Sequence, residues 1–197
     1  MRTPILTIGH SRHSLERFIA LLEGAGATAI ADVRSAPVSR FSPHFNKNAL
    51  AASLAGRNID YLFLGKELGG RPEQKAMYTQ GMADYEKMAG SPDFHAGIAR
   101  LTEEAQRARV AAMCSEADPL DCHRCLLVAR ALAGNGIEVA HVIASGAIMP
   151  HEEAEDRLLQ LPNLAEAGLL LSSRAERLAE AYRARARKVA YAQPRKV

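Results

Sequence analysis

Nothing limits the fold of this chain as much as the stretch Met113-Cys114-Ser115-Glu116-Ala117-Asp118-Pro119-Leu120-Asp121-Cys122-His123-Arg124-Cys125, which holds all three of its cysteines. The run Val110 to Met113 that leads into it is short and apolar, the pattern of a strand buried on both faces of a parallel sheet. Pro119 blocks an early helix and Asp121 suits an N-cap, so a helix is expected from Cys122, with His123 and Arg124 in its first turn. Cys125, Ala129 and Leu132 recur at helical spacing and are expected to face a core. In a parallel sheet, the loop after a strand opens at the carboxyl edge, where ligands bind. The sequence therefore predicts a thiol, an imidazole and a guanidinium beside unpaired helix N–H groups.

The rest of the chain alternates strands and helices. Ile5 to Gly9 reads as a first strand, followed by a helix capped by Ser14 with Leu15, Phe18, Ile19 and Leu22 on its apolar face. Thr28 to Arg34 reads as a second strand that places Asp32 and Arg34 on one face at its carboxyl end. Ser35 to Phe45 is a long loop with Pro37, Pro43, Phe41, His44 and Phe45. Its aromatic groups either stack on a ligand or fold the loop inward. Asn46 begins a helix through Arg57, and Asp60 to Leu64 forms a third strand ending in the glycine-rich Gly65-Lys66-Glu67-Leu68-Gly69-Gly70-Arg71. Residues 72–108 are expected as two helical pieces, the first marked by Met77, Tyr78, Met82 and Tyr85. The second opens at Ser91 with Pro92 at its first position. Residues 109–114 give a fourth strand and 138–143 a fifth. This order predicts an α/β fold with a mainly parallel sheet of about five strands flanked by helices.

After Gly146 the pattern changes. A short helix containing Leu158 and Leu159 is expected to end before Pro162, and 174–188 to form a charged helix. Tyr191 to Val197 is expected to be disordered. The division is thus an α/β domain over 1–160 and a basic helical C-terminal extension over 161–197. Charge follows the same division. Residues 174–197 carry eight basic and two acidic side chains, whereas residues 1–173 carry 17 basic and 20 acidic. The basic excess sits in the tail, so the high overall isoelectric point says little about nucleic-acid binding by the body. The tail cations offer either a nonspecific phosphate contact or a solvated helix face.

No stretch approaches the roughly 20 apolar residues of a membrane span, so no membrane partner is expected. Arg2-Thr3-Pro4 leads straight into a strand rather than a secretory signal. An odd number of cysteines without a disulfide pattern points to a reducing, cytoplasmic setting.

Six short motifs stand in a fixed order: Gly9-His10-Ser11, Asp32-Val33-Arg34, Phe45-Asn46, Leu68-Gly69-Gly70, Met113-Cys114-Ser115-Glu116 and Cys122-His123-Arg124. Together, over roughly residues 4–157, they resemble the bacterial and archaeal family called domain of unknown function 488. The resemblance implies an α/β fold and a site built from these motifs, without naming a reaction. Expected catalytic residues are His10, Asp32, Glu116, Cys122 and His123. Expected ligand-binding residues are Ser11, Arg34, Asn46, Gly69, Gly70 and Arg124.

Three chemistries stay open. In the first, an enzyme binds a phosphate-containing or nucleotide-like small molecule. Arg34 and Arg124 grip oxyanions, Glu116 or Asp32 acts as base, and His10 or His123 as acid. In the second, Cys122 is a thiolate nucleophile at a helix start, while Cys125 packs in the core. In the third, Cys114, Glu116, Cys122, His123 or His10 hold zinc or iron. The spacing Cys-x7-Cys-His matches no standard finger, so no metal ligand is assigned. The cofactor and the oligomeric state are left open.

Overall fold

The computed structural model describes residues 3–161 and 173–194. The chain folds as an α/β sandwich around a six-stranded sheet in the order β3-β2-β6-β1-β7-β8. These strands are β1 (Ile5–Gly9), β2 (Ala29–Asp32), β3 (Asp60–Phe63), β6 (Val110–Cys114), β7 (Val139–Val142) and β8 (Ile148–Pro150). The first five are parallel and β8 runs antiparallel to β7. Every residue of β1, β2, β6 and β7 is buried, as a sheet covered on both faces requires.

Side-chain alternation assigns the two faces. Leu6, Ile8, Ile30, Ala111 and Met113 pack with Phe18 and Leu22 of α1 (Leu15–Gly24) and Leu50 and Leu54 of α2 (Lys47–Ala55). Ile5, Ala31, Val110 and Ala112 face the other way. There they join a core with Phe94, Ile98 and Leu101 of α4 (Pro92–Glu104), and with Leu158 of α6 (His151–Leu159) and Tyr182 of α7 (Arg174–Val189). Fully burying side chains of this size stabilises by about 1.5–3 kcal/mol each. Ser14 caps α1 through Arg17 N, and Ser91 caps α4 with Pro92 in the first turn.

Four expectations are corrected. The first helical piece of 72–108 is mostly a hairpin, β4 (Tyr78–Thr79) and β5 (Met82–Ala83), followed by the short α3 (Tyr85–Ala89). Gln80 and Gly81 both adopt positive φ (52° and 79°), which suits a two-residue hairpin turn. Helical spacing of Met77, Tyr78 and Met82 hid that turn. The sixth strand, β8, was not foreseen, because three residues after Gly146 give too short a pattern. Tyr191 to Pro194 are ordered: Ala192 bridges to Met82, and Ala83 N donates to Tyr191 O. Residues 195–197 lie outside the described residues.

The fourth correction concerns the central helix. Asp118, not Asp121, caps a 3-10 turn over Pro119–Asp121, and the helix that follows runs as a π-helix over Arg124–Ala129 before α5 (Arg130–Gly134). Cys122 N therefore donates to Pro119 O at 3.2 Å and Arg124 N to Cys122 Sγ at 3.4 Å. These two N–H groups, expected to face an anion, are occupied by the chain itself.

No described helix is long and apolar enough to cross a membrane. In α7, Arg174 pairs with Asp156, Arg183 and Arg187 pair with Glu180, and Arg185 pairs with Asp121.

Candidate active site

The sheet switches direction between β1 and β6. The connection from β1 passes through α1 on one face towards β2, and the connection from β6 passes through α5 on the other face to β7. A crevice at the carboxyl ends of such neighbouring strands is where open α/β sheets bind ligands. Here the two loops are stitched together: His10 N donates to Cys114 O, and Ser11 N to Ser115 O. Beside this seam opens a cleft of about 480 Å³, lined by Arg34, Arg71, Cys114, Glu116, Cys122 and His123. Ser35, Ser39, Tyr85, Asp121, Val189 and Tyr191 complete much of its wall.

At the cleft floor, Glu116 Oε2 lies 3.1 Å from Cys114 Sγ and 2.9 Å from Cys122 Sγ. His123 Nδ1 lies 3.7 Å and 3.8 Å from the same two sulfurs. Its other nitrogen, Nε2, sits 2.9 Å from Val33 O. A carbonyl only accepts, so Nε2 carries the hydrogen, and Nδ1 is aimed at the sulfurs. Gly70 makes room for this ring: a Cβ there would stand 2.8 Å from His123 Cγ.

Burial pushes the Cys114 thiol up, and the neighbouring Cys122 adds to it. Burial would raise Cys122 too, but the hydrogen bond with Cys114, the Arg124 guanidinium and His123 outweigh it and hold this thiol well below its usual value. Burial lowers His123, yet the Cys122 charge overrides it and raises the imidazole. Glu116 is raised by burial and then by Cys122. The cluster thus favours a thiolate–imidazolium pair next to a neutral thiol.

Arg34 has a second set of partners. Its Nε and Nη2 donate to the two oxygens of Asp32 at 2.9 and 2.6 Å, Nη2 donates to Phe45 O, and Nη1 donates to His10 Nε2 at 3.3 Å. Tyr61 Oη donates to Asp32 Oδ2 at 2.5 Å. His10 Nδ1 donates to Ser11 O, and burial and Arg34 lower its pKa to about 4. His10 is therefore neutral near pH 7, with both nitrogens occupied.

The structure brings Cys122, His123, Glu116, Arg34 and Gly70 to the cleft wall and leaves the other expected residues behind or beside it. Asp32 and His10 stand behind Arg34. Arg124 is buried and donates to Glu116 O at 2.6 Å and Ala117 O at 3.0 Å, so it braces the loop, while its Nε has no partner. Ser11 holds the seam through its backbone. Asn46 Oδ1 accepts from Ser39 N at 2.6 Å, and Gly69 packs on Ser35 and Gly65. Of the loop aromatics, Phe45 is buried and stacks on His10 at 4.3 Å, whereas Phe41 is exposed.

Sequence reasoning did not single out Arg71, Tyr85 or Tyr191. Arg71 follows the Gly69-Gly70 pair, which is a usable signal. It pairs with no carboxylate among the described residues, and its guanidinium lies 4.8 Å from the Tyr191 ring centroid. Tyr191 carries no local signal, since tertiary contact alone places it.

A family model described as Domain of unknown function DUF488 matches residues 14–131. The match takes in all of the cleft's reactive cluster and stops short of α7; Gly9-His10-Ser11 lies before it. No curated protein and no solved structure matches the chain.

Proposed function

Because the chain belongs to the family described as Domain of unknown function DUF488, which names no reaction, we propose its function from the cleft: an enzyme acting on a phosphate-bearing, nucleotide-like small molecule. One observation carries this reading. A single cleft is lined by Arg34 and Arg71 and by the reactive cluster of Glu116, Cys122 and His123. Arg71 is the group that meets the anion, since all three guanidinium nitrogens of Arg34 already have partners in Asp32, Phe45 O and His10. Asp32 and His10 act as positioning residues that fix Arg34. Glu116, with its raised pKa, is the proton carrier at the reacting end. The volume of about 480 Å³ suits a small molecule. Three free, buried thiols fit a reducing cytoplasm.

The test is a thermal-shift screen with inorganic phosphate, nucleoside phosphates and sugar phosphates. At least one of these raises the melting temperature in a concentration-dependent way. If none shifts it at millimolar concentration, the reading fails.

A further inference from the structure

We infer that Cys114, Cys122 and His123 form a binding site for a divalent transition metal of the zinc class, with Glu116 beside its fourth, cleft-facing position. The three donor atoms lie within 4.8 Å of one another and all three residues are buried. A tetrahedral zinc, with bonds of about 2.3 Å to sulfur and about 2.0 Å to nitrogen, sets adjacent sulfur and nitrogen donors about 3.5 Å apart. The observed sulfur–nitrogen distances of 3.7 and 3.8 Å come close to that edge without rearrangement.

The far side of the histidine gives a second, independent mark. Nε2–H donates to Val33 O, as the outer nitrogen of a metal-ligating histidine does, which turns Nδ1 inward as the nitrogen that gives up its proton when a metal binds. Charge supplies a third. Two sulfurs, one imidazole nitrogen and one carboxylate oxygen converge among buried residues. A dication satisfies all of them at once. Three protein ligands with one position open to a cleft is the pattern of a catalytic rather than a structural zinc. Cys114 and Glu116 come from the end of β6 and the loop after it, and Cys122 and His123 from the helix start, so the metal would also clamp that loop.

The other buried group of this kind, Cys125, His141 and His151, does not share these marks. Its inner nitrogens are only 3.0 Å apart and are already joined by a hydrogen bond.

The site lies in the cleft read above as an enzyme's and builds on that reading, but the metal is measured without any ligand, so the two fail separately. The full chain is produced in zinc-supplemented medium, and metal is quantified after gel filtration. One equivalent of zinc per chain is expected. Replacement by cobalt(II) is expected to give thiolate-to-cobalt charge-transfer absorption. Cys122→Ser and His123→Ala lose the metal, whereas Cys125→Ser keeps it. Should those variants fail to fold, the wild-type chain decides: zinc slows the reaction of Cys114 and Cys122 with a thiol reagent at least tenfold, and a chelator restores it. Less than about a tenth of an equivalent of zinc overturns the inference. So does metal that survives Cys122→Ser and His123→Ala, or thiol reactivity indifferent to zinc and chelator.

Discussion

Arg34 shows how one buried residue depends on its neighbours. Its charge is neutralised by Asp32, and both oxygens of Asp32 are filled by Arg34, the Arg34 backbone N–H and Tyr61. Removing one partner of a buried pair costs far more than the pair itself contributes, because the survivor stays desolvated and unpaired. Asp32→Ala is therefore expected to destabilise by about 3–5 kcal/mol in denaturant titration. Tyr61→Phe removes only one hydrogen bond and is expected to cost about 1 kcal/mol. Equal effects from the two substitutions would show that Asp32 does not hold Arg34 in this way. The sequence placed Asp32 and Arg34 together on a strand end, since a period of two is all that requires. It assigned Asp32 to catalysis and Arg34 to ligand binding, whereas the fold sets Asp32 behind Arg34. Which of two neighbouring polar groups reaches the cleft depends on Phe45, His10 and Tyr61, which arrive from other elements.

Elements were legible where their pattern was long. The five parallel strands and helices α1, α4 and α7 follow from apolar spacing and from caps at Ser14 and Ser91. The hairpin at Tyr78–Ala83 was not legible, because four strand residues give no period and its turn is set by positive φ at Gln80 and Gly81. The π-helical turn at Arg124–Ala129 was equally hidden, because the sequence there satisfies an ordinary helix. The C-terminal strap is the element with the most direct consequence for the cleft. Val189 and Tyr191 line it, and Tyr191 stacks against Arg71. Ending the chain after Ala190 is expected to leave the fold intact but to weaken ligand binding several-fold, since a cation–π contact contributes about 0.5–1 kcal/mol and the wall itself is lost. Unchanged affinity in the shortened chain would show that the strap is not part of the site.

At the scale of the whole molecule, a buried hydrogen-bond chain ties α7 to the sheet. Thr7 Oγ1 donates to His141 Nδ1 at 2.7 Å, His141 Nε2 to His151 Nδ1 at 3.0 Å, and His151 Nε2 to Tyr182 Oη at 3.1 Å. Tyr182 Oη donates in turn to Glu155. Only neutral imidazoles allow this order. Burial lowers His141 from 6.5 to about 3, helped by His151 and Arg124, and burial lowers His151 to about 4. The unfolded chain binds these protons first, so the contribution is complete above pH 6.5 and is lost as pH falls through 6.5 towards 4 and 3. Within that window each histidine is expected to remove about 1.4 kcal/mol of stability per pH unit. Side-chain NMR at pH 5 should find both rings neutral in the folded protein; protonated rings would contradict the chain.

The basic tail reads differently once folded. Arg174, Arg183, Arg185 and Arg187 are engaged by carboxylates, which supports the proposal that a small anion is met at Arg71 in the cleft. Isothermal titration of the phosphate compound that stabilises the protein most, into wild type, Arg71→Ala and Arg187→Ala, tests this directly. The account predicts that Arg71→Ala raises the dissociation constant at least about tenfold, the loss of about 1.4 kcal/mol of binding, while Arg187→Ala leaves it unchanged. Equal affinity in wild type and Arg71→Ala, or a loss confined to Arg187→Ala, would contradict it.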